Sequence, residues 1–359
     1  MSAGACGSSI TPTPPPTEDP PKITCPAPQT VQLTTGSSIA VAYAATTING
    51  RAPVTIVCVP PSGSVFGIGQ KTIVCTATDA LQRTDTCSVA ITVLAPPALA
   101  VTRFLAFGDS ITRGEDGVNG VPQPQPYCPI PTSTSTSLQM RFGPRTILPD
   151  AQTYPGVLQQ KLIARYTTQS PMVTNRGCPG ESVTATNPDT FSRFVGLASS
   201  GAYDAVLIME GSNDLDAAAQ AAPSVQIGVL GSTAAGLRQM VDNARRLGLY
   251  PLLATIPPMS SAGSRGGGAR LVPLLNERIL QIGGAENIPI VDVYAAFKGD
   301  LTLLGDDGLH PNVNGYAVIA TTFADAIKST LEIKTALTSP TSPRSSRIDT
   351  SRRSPRAPR

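Results

Sequence analysis

The chain contains the stretch Val101-Thr-Arg-Phe-Leu-Ala-Phe107-Gly108-Asp109-Ser110, in which an apolar run leads directly into a glycine, an acidic residue and a serine. An apolar run of this length that ends at a turn signal predicts a strand buried on both faces. Strands of this kind belong to parallel sheets that helices cover on both sides. The stretch therefore predicts an α/β domain in which Ser110 follows the first strand.

The sequence after this strand alternates between apolar runs and amphipathic segments. Further strands are predicted near residue 173 and over residues 205–209, 252–256 and 288–293, and helices over residues 156–166, 225–247, 271–282 and 316–331. This alternation indicates a parallel sheet with helices on both faces, whose ligands bind at the carboxyl ends of the strands. Two insertions interrupt the pattern, a Pro/Ser/Thr-rich one over residues 115–153 and a Ser/Gly-rich one over residues 259–269.

The region before residue 95 has a different pattern, made of short β-branched runs that turn residues separate. The runs lie at residues 39–43, 54–58, 71–78 and 87–93. Several short strands of this kind predict a small all-β sandwich. We therefore expect five segments: a disordered Pro/Thr/Ser-rich leader (1–21), the sandwich (22–94), a linker (95–100), the α/β domain (101–332) and a disordered basic tail (333–359).

The charge is unevenly distributed along the chain. The formal net charge is +3, but residues 334–359 hold seven Lys or Arg and one Asp, which leaves 20 basic and 23 acidic residues in the rest. A slightly acidic body without Trp argues against a nucleic-acid partner. The tail could bind anionic cell-surface polymers or membranes, and the alternative is a solvated extension without a role.

Seven cysteines and a single histidine limit the metal and redox chemistry of the chain. Because there is no close Cys-x-x-Cys pair and no second histidine, we expect no metal site. Six cysteines could instead form three disulfides, which requires an oxidising compartment. Cys128 and Cys178 both follow predicted strands, so we expect a bridge between them across the ligand-binding edge, with two free thiols as the alternative.

The N-terminus resembles the cleavage end of a bacterial lipoprotein signal. Small residues lead to Cys6 and a Ser/Thr/Pro spacer follows, but the basic and apolar regions of a signal are missing. We hypothesise that the true start lies further upstream and that Cys6 is a lipid attachment site. The alternative is a disordered N-terminus with a spare thiol. No stretch of the sequence is apolar enough, for long enough, to span a membrane.

Ser110 and His310 are the first candidate reactive residues. Ser110 alone is equally typical of a helix cap. His310 is the only histidine, so any mechanism based on an imidazole must use it. Asp307 lies three residues earlier, a separation that could let its carboxylate reach Nδ1 of the ring and fix the tautomer. The adjacent Asp306 is the alternative acid.

Two further segments that follow predicted strands carry hydrogen-bond donors, namely Asn175-Arg-Gly177-Cys-Pro-Gly180 and Gly211-Ser-Asn213-Asp214. Glycine lets a backbone N–H approach an oxyanion, and an asparagine amide supplies another donor. Each segment alone is also typical of an ordinary turn after a strand.

Together with Gly108-Asp109-Ser110 and Asp307-Gly-Leu-His310, these segments resemble the four sequence blocks of the SGNH (GDSL-like) hydrolases, over about residues 101–331. The resemblance implies a flavodoxin-like fold and the hydrolysis of carboxylic esters without a cofactor. It assigns Ser110 as the nucleophile, His310 as its general base and Asp307 as the acid of the triad. It also implies an oxyanion hole formed by the N–H groups of Ser110 and Gly180 and the side chain of Asn213.

The sandwich resembles the hyalin-repeat (HYR) domain, an immunoglobulin-like module of extracellular proteins. The resemblance rests on Ile23-Thr-Cys25-Pro, Pro61-Ser-Gly63-Ser-Val-Phe66, Val74-Cys75-Thr-Ala-Thr-Asp79 and Cys87-Ser-Val. It implies an adhesive or spacer role, with a cell-surface or polysaccharide ligand. We expect the pairs Cys25–Cys87 and Cys58–Cys75, although four cysteines allow three connectivities.

Three classes of function remain open. The first is an exported esterase that acts on small or carbohydrate-linked O-acyl groups. The second is a lipid esterase or lysophospholipase with the same chemistry, or an acyltransferase that uses another acceptor than water. The third is a non-catalytic cell-surface binding protein, against which the intact Ser110, Asp307 and His310 argue. We expect a monomer that is secreted or lipid-anchored at a bacterial cell surface.

Overall fold

The chain forms two compact units in a computed structural model that describes residues 18–119, 145–184 and 188–334. The first unit ends at Pro96, and the second runs over Pro97–Ile333. Each unit has a hydrophobic core of its own, which is the defining property of a domain.

The first unit is all-β, as predicted. Its strands are β1 Lys22–Thr24, β2 Gln29–Gln32, β3 Ser38–Ala40, β4 Thr46–Ile48, β5 Thr55–Val59, β6 Val65–Gly67, β7 Gly69–Thr78 and β8 Thr84–Leu94. One sheet has the order β2-β8-β7-β5, and β1-β4 and β3-β6 form two antiparallel pairs. The predicted strand over residues 39–43 is shorter than expected because the N–H groups of Val41 and Tyr43 donate to the turn at Ser62 and Ser64.

The core of this unit follows the two-residue period of its longest strands. In β7, the side chains of Ile73, Cys75 and Ala77 are fully buried, and most of their neighbours point outward. Two disulfides cross the unit, Cys25–Cys87 and Cys58–Cys75, with S–S distances of 2.04 and 2.05 Å. These are the expected pairs, one of the three connectivities that four cysteines allow. A domain of this size buries too little apolar surface to be very stable without such covalent links.

The second unit is built on a five-stranded parallel sheet. The strands of the unit are β9 Arg103–Gly108, β10 Glu115–Asn119, β11 Arg145–Ile147, β12 Met172–Gly177, β13 Ala205–Met209, β14 Tyr250–Ala254 and β15 Ile290–Val291. β10 and β11 pair with each other, and the remaining strands have the order β12-β9-β13-β14-β15. Counted along the chain, this order is 2-1-3-4-5, which is that of the flavodoxin-like fold. The predicted fold class is confirmed.

Helices cover both faces of this sheet. They are α1 Ser110–Arg113, α2 Tyr154–Arg165, α3 Pro188–Ala198, α4 Ser212–Ala218, α5 Pro223–Arg246, α6 Val272–Glu286, α7 Val293–Ala296 and α8 Val313–Leu331. α2 packs against α8, whereas α5 packs against α3 and α6, so the helices form two layers. Every residue of β13 is buried, because a layer lies on each side of it. No helix among the described residues has the length and apolar character that crossing a membrane requires.

Residues 98–100 differ from the free linker that the sequence suggested. Leu99 is only 2 % exposed, and its N–H donates to Gln169 Oε1 at 2.7 Å. The Ala100 N–H also donates to Leu331 O at 2.8 Å. These residues therefore belong to the second unit, since an apolar side chain and two backbone groups hold them there.

Two other predicted segments have different bounds in the structure. The strand expected over residues 288–293 is limited to Ile290–Val291, because the Asp292 side chain caps α7 by accepting the Ala295 N–H at 3.1 Å. The insertion over residues 115–153 is not simply a loop, since it contains β10 and β11. Its central part, residues 120–144, lies outside the described residues.

Candidate active site

Ser110 follows the carboxyl end of β9, which lies second from one edge of the sheet. β9 ends at Gly108, which is aligned with Met209 of the neighbouring β13. A Cβ on Gly108 would lie 2.4 Å from Met209 O, so a larger residue cannot occupy this position without a shift. Asp109 then begins α1 by accepting the Ile111 N–H at 2.9 Å. Ser110 is therefore held at the first position of a helix, directly above the sheet.

His310 connects the serine to an acid. Its Nε2 lies 2.7 Å from Ser110 Oγ, and its Nδ1 lies 2.6 Å from Asp307 Oδ2. All three side chains are buried, with exposures of 3 % for Ser110, 3 % for Asp307 and 0 % for His310. A row of this kind can transfer the serine proton to the imidazole while the acid holds the ring in one tautomer.

Asp307, not the adjacent Asp306, contacts the imidazole. Asp306 is exposed, whereas the second oxygen of Asp307 accepts the backbone N–H groups of Leu309 and His310 at 3.0 Å each. Burial alone would raise the pKa of Asp307, but the hydrogen bonds from His310 and the backbone hold that pKa well below its usual range. The carboxylate therefore stays ionised, which is the state that stabilises an imidazolium.

Hydrogen-bond donors lie on the loops after the neighbouring strands. Among the described residues, no protein acceptor receives the N–H of Ser110 or of Gly180. Asn213, at the start of α4, is 1 % exposed, and its Nδ2 donates to Glu181 O at 2.8 Å. Because an amide nitrogen carries two hydrogens, a second one remains available for a ligand.

Asp214 connects α4 to the loop after β12, which carries Gly180, through two hydrogen bonds. Its two carboxylate oxygens accept the N–H groups of Val183 and Thr184 at 3.0 Å each. Burial raises the pKa of Asp214 to about 7, although these two hydrogen bonds oppose the shift. Asn213 and Asp214, which are adjacent at the start of α4, thus both form hydrogen bonds with the segment that follows Gly180.

Three buried acids, Asp109, Glu181 and Glu210, lie next to these segments in the sequence. Burial raises the pKa of Asp109 to about 6. Burial and the negative charges of Glu181 and Asp109 raise the pKa of Glu210 well above its ordinary value, and both carboxyl oxygens of Glu210 are shielded from solvent. Glu181 instead forms an ion pair with Arg193, whose guanidinium lies 4.0 Å from the ring centroid of Phe107. Perturbed acids of this kind are concentrated at functional sites.

Two residues near the reacting groups were not found from the sequence. The Glu115 carboxylate lies 3.3 Å from His310 Nε2, and its backbone carbonyl accepts the Tyr316 hydroxyl at 2.6 Å. The Arg265 guanidinium donates to Asn213 Oδ1 at 3.2 Å. Both lie in the insertions, where no short motif marks them, so only the fold brings them to the site.

Two predicted modifications involve residues that the structure does not describe. Cys178 is buried directly after β12, and its N–H donates to Gly108 O at 2.8 Å. Its expected partner Cys128 lies outside the described residues, as does Cys6. The third bridge and the lipid attachment therefore stay predictions.

Comparisons with known proteins identify both units. The model of the GDSL-like lipase/acylhydrolase family matches residues 106–318, which is more than half of the chain. The model of the HYR domain matches residues 17–93. No curated protein matches the chain at a significant level.

Several solved structures resemble part of the chain. An acetylxylan esterase from Geobacillus stearothermophilus is 24 % identical, with a TM-score of 0.44 and coverage of 63 % of this chain and 94 % of its own. An aryl esterase from M. smegmatis is 20 % identical, with a TM-score of 0.45 and coverage of 64 % and 100 %. A lipase/acylhydrolase from Enterococcus faecalis is 20 % identical, with a TM-score of 0.47 and coverage of 65 % and 100 %.

The family match includes the residues from which the site was built, since it extends from β9 through His310 into α8. The two disulfides and the HYR domain are consistent with an extracellular location. The chain therefore belongs to the GDSL-like lipase/acylhydrolase family, and it is an ester-hydrolysing enzyme with an N-terminal HYR domain.

Proposed function

We propose that this enzyme is an exported serine esterase that removes short O-acyl groups, acetyl groups of carbohydrates in particular. The observation that carries the proposal is the row of contacts from Asp307 through His310 to Ser110, with distances of 2.6 and 2.7 Å. Distances in this range are those that a general base needs to remove a hydroxyl proton.

Acylation is the first half of the proposed reaction. Ser110 Oγ attacks the ester carbonyl carbon, and its proton passes to His310 Nε2. The carbonyl oxygen becomes an oxyanion that accepts hydrogen bonds from the N–H groups of Ser110 and Gly180 and from Asn213 Nδ2. When the tetrahedral intermediate collapses, the bond to the alcohol oxygen breaks, and His310 gives its proton to the leaving alkoxide.

Deacylation repeats the sequence with water as the nucleophile. His310 takes a proton from water, the resulting hydroxide attacks the acyl-enzyme, and Ser110 Oγ leaves with the proton that His310 returns. Asp307 remains ionised throughout, because it stabilises the imidazolium without accepting its proton.

The polar surroundings of the reacting groups support a short acyl group and a hydroxyl-rich alcohol. The Glu115 carboxyl group lies 3.3 Å from His310 Nε2, so a polar side chain adjoins the atoms of the proposed reaction. A carboxyl oxygen accepts hydrogen bonds from sugar hydroxyls, whereas a long acyl chain offers it no donor.

Export is the second part of the proposal. The disulfides Cys25–Cys87 and Cys58–Cys75 support an oxidising compartment. The HYR domain supports a role for the first unit as a spacer or as an adhesive module for a cell-surface or polysaccharide ligand. Protease added to intact cells should degrade the protein if it is at the cell surface, and protection from the protease would contradict that location.

A panel of esters tests the reaction and the substrate class together. We expect kcat/KM for 4-nitrophenyl esters to fall at least about tenfold from acetate to octanoate, and we expect acetate release from acetylated oligosaccharides. Ser110→Ala should abolish both activities, whereas Ser199→Ala, which alters an exposed serine, should leave them unchanged. A preference for octanoate would favour the lipid esterase, and transfer of the acyl group to added alcohols in preference to water would favour the acyltransferase. Full activity of Ser110→Ala would exclude the proposed mechanism.

A further inference from the structure

The Ser/Gly-rich insertion over residues 259–269 is hydrogen-bonded to the loop that carries Asp307. The Ser260 N–H donates to Gly308 O, and the Arg265 N–H donates to Asp307 O, each at 2.8 Å. Between them, Gly263 packs so closely that a Cβ would lie 2.3 Å from Asp307 O. The insertion therefore lies directly against the backbone of Asp307.

The Arg265 side chain connects this insertion to α4. Its Nη2 donates to Asn213 Oδ1, and its Nε donates to Asp216 Oδ2, each at 3.2 Å. Arg265 is only 7 % exposed, and the side chains of Arg265 and Asp216 form an ion pair. A buried, planar guanidinium with a carboxylate partner has few alternative positions, so its contact with Asn213 is geometrically defined.

These contacts determine the orientation of the Asn213 amide. Arg265 can only donate hydrogen bonds, so the atom that faces it must be Oδ1. Glu181 O can only accept, so the atom that faces it at 2.8 Å must be Nδ2. A flip of the amide would break both hydrogen bonds at once. Since a positive group on Oδ1 also draws electron density from the amide, Nδ2 becomes a stronger donor.

We propose that Arg265 is a positioning residue for the transition state of ester hydrolysis, acting by orienting and polarising the Asn213 amide. The inference rests on the proposed function, in which Asn213 Nδ2 binds the oxyanion. Through its backbone contact with Asp307, Arg265 also links the oxyanion hole to the triad acid. The insertion thus supplies a part of the site that the four sequence blocks do not contain.

Arg270 provides a matched control in the adjoining 3-10 turn, Gly266–Leu271. Its Nη1 donates to Gln226 Oε1 at 2.8 Å, and its Nη2 donates to Ala219 O at 2.9 Å. Arg270 therefore anchors the same part of the chain through two hydrogen bonds of its guanidinium, and neither of these described hydrogen bonds involves Asn213. A merely structural role for Arg265 predicts that the two arginines behave alike.

The test is a double-mutant cycle on the full chain, with 4-nitrophenyl acetate as substrate. Arg265→Met should lower kcat about 10- to 30-fold with less than about a twofold change in KM, because the affected hydrogen bond forms with the oxyanion. In the Asn213→Ala background, the same substitution should lower kcat less than about threefold, because no amide remains to be oriented. Arg265→Lys, which keeps the charge, should recover part of the loss. Arg270→Met should lower the unfolding midpoint but leave kcat within about twofold.

Three results would overturn the inference: an equal loss in both backgrounds, a loss confined to KM, or unchanged kcat in Arg265→Met. If Arg265→Met does not fold, Arg265→Lys in the two backgrounds is judged by the same criteria. Failure of the proposed function is recognised separately, because Asn213→Ala alone would then keep the kcat of the unaltered enzyme. Failure of the inference alone leaves Asn213→Ala impaired.

Discussion

The two units of the chain are stabilised in different ways. The HYR domain has a small core around Ile73 and Ile91, and two disulfides reinforce it. The α/β domain has a much larger core, in which every residue of β13 is buried. It can therefore hold acids such as Glu210, whose side chain is fully buried. The small unit thus depends on covalent constraint, whereas the large one has enough apolar burial to hold acids out of contact with water.

The largest effect on kcat is expected from a substitution in the candidate active site of the α/β domain. Asp307→Asn should lower kcat by about 10³- to 10⁴-fold, because an amide NH₂ facing Nδ1 favours the wrong tautomer of His310. The stability of the HYR domain should not change. Steady-state kinetics together with chemical denaturation measure both quantities.

Asp306→Asn is the matched control for this substitution, because Asp306 is exposed and adjacent in sequence. Its kcat should stay within about twofold of the unaltered enzyme, as is usual for a surface substitution. A large loss in Asp306→Asn with little loss in Asp307→Asn would mean that the acid has been assigned to the wrong residue.

The opposite experiment removes the covalent constraint from the HYR domain. Replacing Cys25 and Cys87 by serine opens a loop with a sequence separation of 62, which should lower the free energy of unfolding of that domain by about 4 kcal/mol. The Cys58–Cys75 bridge has a sequence separation of 17, so its removal should lower the free energy of unfolding by less, about 3 kcal/mol. Esterase kcat should be unchanged in both variants. Loss of activity on removal of either bridge would show that the two units do not act independently.

A smaller effect should appear in the pH dependence of stability. Because the pKa values of Glu210 and Asp214 are raised in the folded chain, the folded state retains protons that the unfolded chain has already lost. The free energy of unfolding should therefore fall as the pH rises from about 4, the unfolded value, to about 7. Asp307 acts in the opposite sense, because its pKa is lowered in the folded chain. Its contribution to stability is present above about pH 4 and is lost as the pH falls below that value.

Glu210→Gln should reduce this decline, since one of the buried acids can no longer ionise. The exposed Glu277→Gln should leave the decline as it is. Urea denaturation at several pH values provides the measurement. An unchanged slope in Glu210→Gln would contradict the shifted pKa of that residue.

The sequence predicted the parts of the molecule that local pattern determines. Apolar runs located β9, β13 and β14, because strands buried on both faces must be apolar throughout. Short motifs also located Ser110 and His310, whose Oγ and Nε2 lie 2.7 Å apart, and Asn213, whose amide donates to the carbonyl of the residue after Gly180.

The remaining parts depend on contacts between distant segments. Glu115 and Arg265 lie in insertions of low apolar content, and only the folded chain brings them to His310 and Asn213. The same reason explains why residues 98–100 appeared to be a linker, since the partner of Leu99 is Gln169, 70 residues away. Local propensity carries no information about such pairs.

The activation of Ser110 by His310 is tested most directly by identifying the residue with which a fluorophosphonate reacts, by mass spectrometry of the digested protein. We expect a single adduct on the peptide that contains Ser110, and we expect labelling to be lost in His310→Ala although the hydroxyl is still present. An adduct on another serine, or labelling of Ser110 at an undiminished rate without His310, would contradict the claim that this imidazole activates this hydroxyl.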